Sequence, residues 1–257
     1  MKIYTFFEES TKTHNPDSQE RLISLWKDNW IDKGWEPIIL NNDYAKAHHY
    51  YDEFVEKMSK FHVLITGNKI NKYGIYCYTR WLAYAMLESS DQIYTCDYDL
   101  INNGLKPNEI KNSGGLHLMS EYCPCFISGN SKDFLRMAKF MANITEMRYD
   151  FLRNNVKNMS GMRSGIYHDQ DVLVNNISNL YCPFGVSIAS DLKFNLSTKY
   201  VGQMASKNTF DDFVFKKKLP KTLHFSRNSM IRFKKQIGEN QLDDDVLRCN
   251  IIEEKFR

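Results

Sequence analysis

The sequence predicts an α/β fold: a mostly parallel central sheet flanked by helices, with a smaller region beside it. Two observations predict it. From residue 2 to 98, apolar strand-like runs and amphipathic helical periods follow one another in the order β-α-β-α-α-β. The run Gln92–Tyr98 then ends on a pair of carboxylates, Asp97 and Asp99, at the C-terminal end of a strand, where sheets of this class bind their ligands.

The elements are justified in order. Lys2–Phe7 opens as a strand, and Asn15-Pro16-Asp17 is turn chemistry. Leu22, Ile23, Leu25, Trp26 and Trp30 mark one face of a helix that begins at Ser18 and stops at Gly34. Trp35–Leu40 is a second strand, Asn41-Asn42-Asp43 a turn, and Asp52–Phe61 and Tyr76–Glu88 are helices. After the strand Gln92–Tyr98 comes an Asn102-Asn103-Gly104 turn. Residues 114–119 and 125–130 are short strands, and Ser131–Ala142 is a helix with Ser131 as its N-cap. A further helix begins at His168-Asp169-Gln170-Asp171. The last third is polar and basic. No internal repeat or linker divides the 257 residues, so one domain is expected over 1–257, in halves 1–104 and 105–257.

Composition bounds the function. Aromatics make up 14%, with 15 Tyr and 16 Phe, which marks an ordered globular chain. A net charge of +3 is too weak for a nucleic-acid binder. No apolar run is long enough to span a bilayer, and Met1–Phe7 lacks the features of a signal peptide, so a cytoplasmic location is expected. The six Cys fit no zinc spacing, Cys123 and Cys125 being separated by one residue, and buried reduced thiols are expected. The usage of Lys, Asn, Tyr and Ile fits an AT-rich genome, viral or bacterial.

Chemistry is carried by four segments. Residues two apart on a strand point the same way, so Asp97 and Asp99 are expected to face one point. Two crowded carboxylates call for a cation between them, and such a cation usually handles a phosphate. Asp169 and Asp171 are expected at a helix start. One carboxylate suffices there for capping, which leaves the other free for a further role. Asp169 is read as the more exposed of the two and Asp171 as partly structural. Gly129 and Asn130 stand at a strand-to-helix junction, where a glycine and helix amides allow close approach of a ligand or make a plain tight turn. Arg227 and Lys216–Lys218 are candidate diphosphate contacts or solvated charge.

The strand-end Asp97-x-Asp99, the preceding helix with Arg80, and the later His168-Asp169-Gln170-Asp171 together resemble a nucleotide-sugar-dependent glycosyltransferase of the GT-A fold, over Met1 to about Phe225. The resemblance implies a Rossmann-like sheet with an acceptor-side region, and a nucleotide-sugar-binding half in 1–104. It implies Mn²⁺ or Mg²⁺ held by Asp99 and Asp97, with His224 as a third ligand, and Asp97 also near the donor ribose. Thr5, Phe6 and Phe7 would line the base pocket, Arg80 would approach the donor, and one of Asp169 and Asp171, with Asp169 favoured, would take the proton of an acceptor hydroxyl as general base. The plainer alternative for Arg80 is an ion-pairing residue. The donor would be a UDP- or GDP-sugar and the acceptor a carbohydrate. No Gly-x-x-Lys-Pro-Trp follows His224, which departs from glycogenin-like and galactosyltransferase-like retaining enzymes. A nucleotidyltransferase is the alternative, although Phe6-Phe7-Glu8-Glu9-Ser10 lacks a phosphate-binding glycine loop. An inactive carbohydrate-binding protein of the same fold is another.

Overall fold

In the computed structural model, residues 1–9, 16–110, 115–120, 123–147, 168–170, 172–173, 194–196, 201–203 and 220–256 are described. Strand β1 (Lys2–Phe6) pairs in parallel with β2 (Glu36–Leu40), Lys2 opposite Glu36 and Phe6 opposite Leu40. The crossover is helix α1 (Pro16–Ile31), which begins two residues earlier than expected, with Pro16 in its first turn. The turn that follows it closes at Gly34, whose φ of +85° suits a residue without a side chain. Asn41-Asn42-Asp43 is a helix start rather than a plain turn. Asn41 caps the short helix α2 (Asn42–Lys46), its side chain accepting from Asp43 N at 3.2 Å. Helix α3 (Tyr51–Thr66) extends beyond its expected bounds at both ends, while α4 (Lys72–Ala85) begins four residues earlier than expected and ends three residues short of Glu88.

Strands β3 (Ile93–Cys96), β4 (Leu100–Asn102), β5 (Leu116–Leu118), β6 (Phe126–Gly129) and helix α5 (Ser131–Met147) follow. Then come β7 (Phe194–Leu196), β8 (Val201–Gln203) and β9 (Thr222–His224). Helices α6 (Arg227–Ile237) and α7 (Asp244–Phe256) close the chain, in a region that reads in sequence only as polar and basic.

The main sheet has the order β2-β1-β3-β6-β5-β7. It is mixed and mostly parallel: β1, β2 and β3 run together, β6 opposes both its neighbours, and β7 runs with β5. Side-chain alternation divides the core between its two faces. Ile3, Tyr94, Cys96 and Phe126 pack with Trp26, Trp30 and Trp35, while Ile93, Leu116 and Ile127 pack with Tyr78, Trp81, Phe134 and Met137 of α4 and α5.

A second, small sheet β4-β9-β8 stands beside the first. Its β4 leaves β3 through the turn 97–99 and pairs antiparallel with β9, Leu100 opposite His224. Helices α1, α6 and α7 cover it with Leu22, Leu25, Met230, Phe233, Leu247 and Ile251. Among the described residues, no strand lies beside the outer edge of β4. Asn29 of α1 takes that place: its amide donates to Asn102 O at 3.1 Å and accepts from Asn102 N at 2.7 Å.

Replacing Asn29 by the near-isosteric Leu leaves both buried backbone groups of Asn102 unpaired. We predict a loss of about 2–4 kcal/mol in stability, read by urea unfolding. A change within error would show that β4 does not depend on this bridge.

Candidate active site

Strands β1 and β3 end at the same edge of the sheet because they are parallel, Tyr4 lying opposite Thr95. That edge carries the acidic pair. Asp97 and Asp99 converge for a reason other than the expected one. Strand β3 stops at Cys96, and the two aspartates occupy a tight turn closed by Leu100 N donating to Asp97 O at 3.0 Å. A turn, not strand alternation, brings the carboxylates together.

His224 arrives from the last strand of the chain. Pairing of β9 with β4 sets it opposite Leu100, and Phe225 N donates to Asp99 O at 2.9 Å. Its Nε2 stands 3.3 Å from Asp99 Oδ1 and 3.9 Å from Asp97 Oδ2. The ligating atoms of Asp97, Asp99 and His224 all lie within 4.8 Å of one another. Two carboxylates and an imidazole suit a small divalent cation such as Mn²⁺.

Each carboxylate is also held from outside. Arg80 of α4 donates from Nη1 to Asp97 Oδ1 at 2.7 Å, and from Nε and Nη2 to Asp169 Oδ2 at 2.9 and 2.6 Å. Trp81 Nε1 donates to the same Asp169 oxygen at 2.9 Å, and Gln170 N donates to Asp169 Oδ1 at 2.9 Å. On the other side, Arg248 of α7 reaches Asp99 Oδ2 at 3.3 Å, pairs with Asp245, and donates to Phe225 O at 2.8 Å. Among the described residues, the four carboxylates Asp97, Asp99, Asp169 and Asp245 face two guanidiniums and the His224 imidazolium, which leaves negative charge in surplus.

Proton affinities follow this layout. Burial, helped by the nearby Asp99 charge, raises Asp97 to about 6 against the pull of Arg80. Burial would raise Asp99 too, but His224 and Arg248 outweigh it and hold Asp99 below the usual carboxylate value. Burial disfavours a charged His224, yet Asp99 overcomes this and holds its proton well above the ordinary imidazole range. Asp169 is lowered, since Arg80, His168 and Trp81 overcome its burial.

The other expected residues divide. Phe6 and Phe7 are half-buried at this edge, Phe7 packing edge-on against Tyr98 at 5.2 Å between ring centres. Thr5 is fully buried within the sheet and offers no wall to a pocket. Asp169 is 1% exposed, against the expectation of an exposed carboxylate, because Arg80 and Trp81 close over it. Asp171, Lys216–Lys218 and Cys182 lie outside the described residues.

Gly129 and Asn130 are not brought to the site. Strand β6 is antiparallel to β3, so Gly129 pairs with Ile93 at the start of β3, while Cys125 meets Asp97 N at 2.9 Å. The junction serves helix α5 instead. Asn130, not Ser131, is its cap, exchanging hydrogen bonds with Asp133 at 3.0 Å in both directions. A side chain at Gly129 would meet Leu116 at 3.0 Å. Arg227 is exposed, its side chain about 4.0 Å from Asp244.

Sequence reasoning missed Trp81, Arg248, Asp245 and the thiols. The spacing Asp245–Arg248 among Leu247, Cys249 and Ile251 was the available signal, a charged pair on an apolar helix face.

No protein-family model matches the chain, and no curated protein matches it in sequence. Solved structures similar to it are glycosyltransferases. The apo form of GlyE of Streptococcus pneumoniae TIGR4 is 15% identical, with a TM-score of 0.47 over 99% of this chain. This chain spans 63% of the length of that GlyE structure. An active-site mutant of LgtC is 10% identical, with a TM-score of 0.48 over 94% of this chain and 95% of its own. A glycosyltransferase involved in glycosylation of the major capsid of PBCV-1 is 10% identical, with a TM-score of 0.45 over 90% of this chain and 96% of its own. Among the described residues, no helix is long and apolar enough to cross a membrane.

Because the folded protein holds the Asp97 proton up to about 6, while an unstructured aspartate releases it near 3.8, the Asp97 contribution to metal-free stability declines as pH rises between those values. We predict that Asp97→Asn flattens this decline in urea unfolding with a chelator present. An identical pH profile in the variant would place the titration elsewhere.

Proposed function

We propose that the chain is a metal-dependent glycosyltransferase that moves a sugar from a UDP- or GDP-sugar to a hydroxyl of a glycan. One observation carries this reading. Asp97, Asp99 and His224 converge with surplus negative charge at the edge where the parallel strands β1 and β3 end. Asp97, Asp99 and His224 would hold Mn²⁺ or Mg²⁺. When bound, that cation supplies charge neutralisation for the departing nucleoside diphosphate.

The chain's own groups do the rest. Arg80 fixes the Asp97 carboxylate, and Arg248 fixes Asp99, so the pair meets its ligand without rearranging. Phe7 and Tyr98 present a half-buried aromatic corner next to the acidic turn, suited to a nucleotide base. Asp169 has both oxygens committed and a lowered proton affinity, which makes it a poor base. We assign it the positioning of Arg80 and leave Asp171 as the candidate base toward the acceptor hydroxyl.

The nucleotidyltransferase reading loses support at Glu8. That residue follows β1, where this reading calls for phosphate-binding amides, and its carboxylate puts a negative charge there, accepting the Asn42 amide.

The test is release of UDP or GDP from a panel of nucleotide sugars, with and without Mn²⁺. We expect metal-dependent release from one donor, reduced at least about a hundredfold in Asp99→Asn. No release from any donor, with no thermal shift on adding nucleotide, would sink the proposal. Mn²⁺ must displace the His224 proton and meet an ionised Asp97, so its binding should tighten as pH rises through about 6 and above. Mn²⁺ titrations followed by electron paramagnetic resonance check this, and a pH-independent affinity would exclude these ligands.

A further inference from the structure

We propose that Cys123, Cys125 and His224 form a second metal site, selective for the thiophilic cation Zn²⁺, that shares its imidazole with the aspartate site. The fold makes this site from residues whose spacing hides it. Cys125 lies at the start of β6, and because β6 is antiparallel to β3 that start meets the end of β3 beside the acidic turn. Cys123 is held two residues earlier by its amide donating to Ser120 O at 2.9 Å. His224 comes from the second sheet, a hundred residues away in sequence.

The ligating atoms of Cys123, Cys125 and His224 lie within 4.8 Å of one another. Two thiolates on one tetrahedral zinc stand about 3.8 Å apart, given Zn–S bonds of about 2.3 Å, so small side-chain shifts close the site. Both thiols are free. Buried cysteines usually face apolar neighbours, whereas the Cys123 thiol here bonds to Cys125 and to the His224 imidazole. Cys123 is half-buried, which leaves a route for an ion. Three protein ligands leave one position for water or an Asp97 oxygen, the ligand count of open zinc sites.

The two sites differ in chemistry. Carboxylates favour Mn²⁺ and Mg²⁺, and thiolates favour Zn²⁺. Binding forms two Zn–S bonds and one Zn–N bond and releases to solvent whatever protons the two thiols and the His224 imidazole carry, with no change of oxidation state. One imidazole serving both sites means that zinc at the thiols competes with a hard cation at the aspartates.

Co²⁺ titration of the intact, chelator-treated protein tests the site without any assay of activity. We expect a thiolate-to-cobalt charge-transfer band that saturates at one equivalent and disappears on adding Zn²⁺. Cys123→Ser, at the half-buried position, should abolish the band and weaken Zn²⁺ binding at least about tenfold, with an unchanged circular dichroism spectrum. The same variant should keep the wild-type Mn²⁺ resonance signal, and Zn²⁺ should no longer displace Mn²⁺ from it. Absence of the band in folded wild type, or equal zinc affinity in wild type and Cys123→Ser, would overturn the proposal. Failure of Mn²⁺ binding with the cobalt band intact would instead count against the aspartate site and leave this one standing.

Discussion

A single guanidinium, that of Arg80, ties three distant parts of the chain to one point. It joins helix α4, the turn after β3 and the segment at 168–170 through Asp97 and Asp169. Burying such charges is expensive, and their mutual attraction often does no more than offset the loss of water. The arrangement is therefore weak evidence of a device for stability. It makes sense as a device for holding a carboxylate still. All three guanidinium nitrogens are used, and Trp81, the next residue on α4, donates to the same Asp169 oxygen. With two successive residues of one helix bound to Asp169, the helix cannot rotate without breaking both contacts. Asp97 in turn cannot swing away from Asp99 without leaving Arg80 partly unpaired.

The same logic repeats on the opposite side. Arg248 is buried, paired to Asp245 and to the carbonyl of Phe225, and reaches Asp99. Since Phe225 follows His224, this one side chain fixes both the aspartate and the strand that delivers the imidazole. The acidic turn thus stands between two clamps, one from each helical layer. Both clamps are cationic, yet they leave the cluster short of positive charge. A protonated His224 supplies part of what is missing in the metal-free protein, and a divalent cation would supply it without that proton.

Much of this was legible in the sequence, for physical reasons that can be named. Elements β1, α1, β2, α3, α4 and β3 announce themselves because period and turn chemistry are local properties. Asp97 and Asp99 were visible because acidic residues at the end of an apolar run are conspicuous. What failed was strand direction. Nothing local in Phe126–Gly129 says that it runs against β3, and that single fact moves Gly129 and Asn130 to the far end of the sheet and brings Cys125 to the site. Asp169 was misjudged in a similar way, since its burial comes from Arg80 and Trp81, nearly ninety residues earlier. Helices α6 and α7 were unread because few apolar residues mark α6, and Arg248 interrupts the apolar face of α7.

Strand direction also explains why one imidazole faces two kinds of ligand. A parallel β6 would have carried its first residues to the opposite edge, leaving only oxygen donors around His224. The antiparallel course brings both sulfur and carboxylate donors within reach of the same imidazole. An imidazole is a borderline ligand, acceptable to hard and soft cations alike, so selectivity at this place depends on which neighbours complete the set. Asp97 and Asp99 sit in a turn pinned by two buried guanidiniums, Arg80 and Arg248, whereas the backbone of Cys123 is held, among the described residues, by its amide donating to Ser120 O. The oxygen set is thus the better preorganised of the two, and the sulfur set must gain its occupant through the strength of its bonds rather than through readiness of geometry.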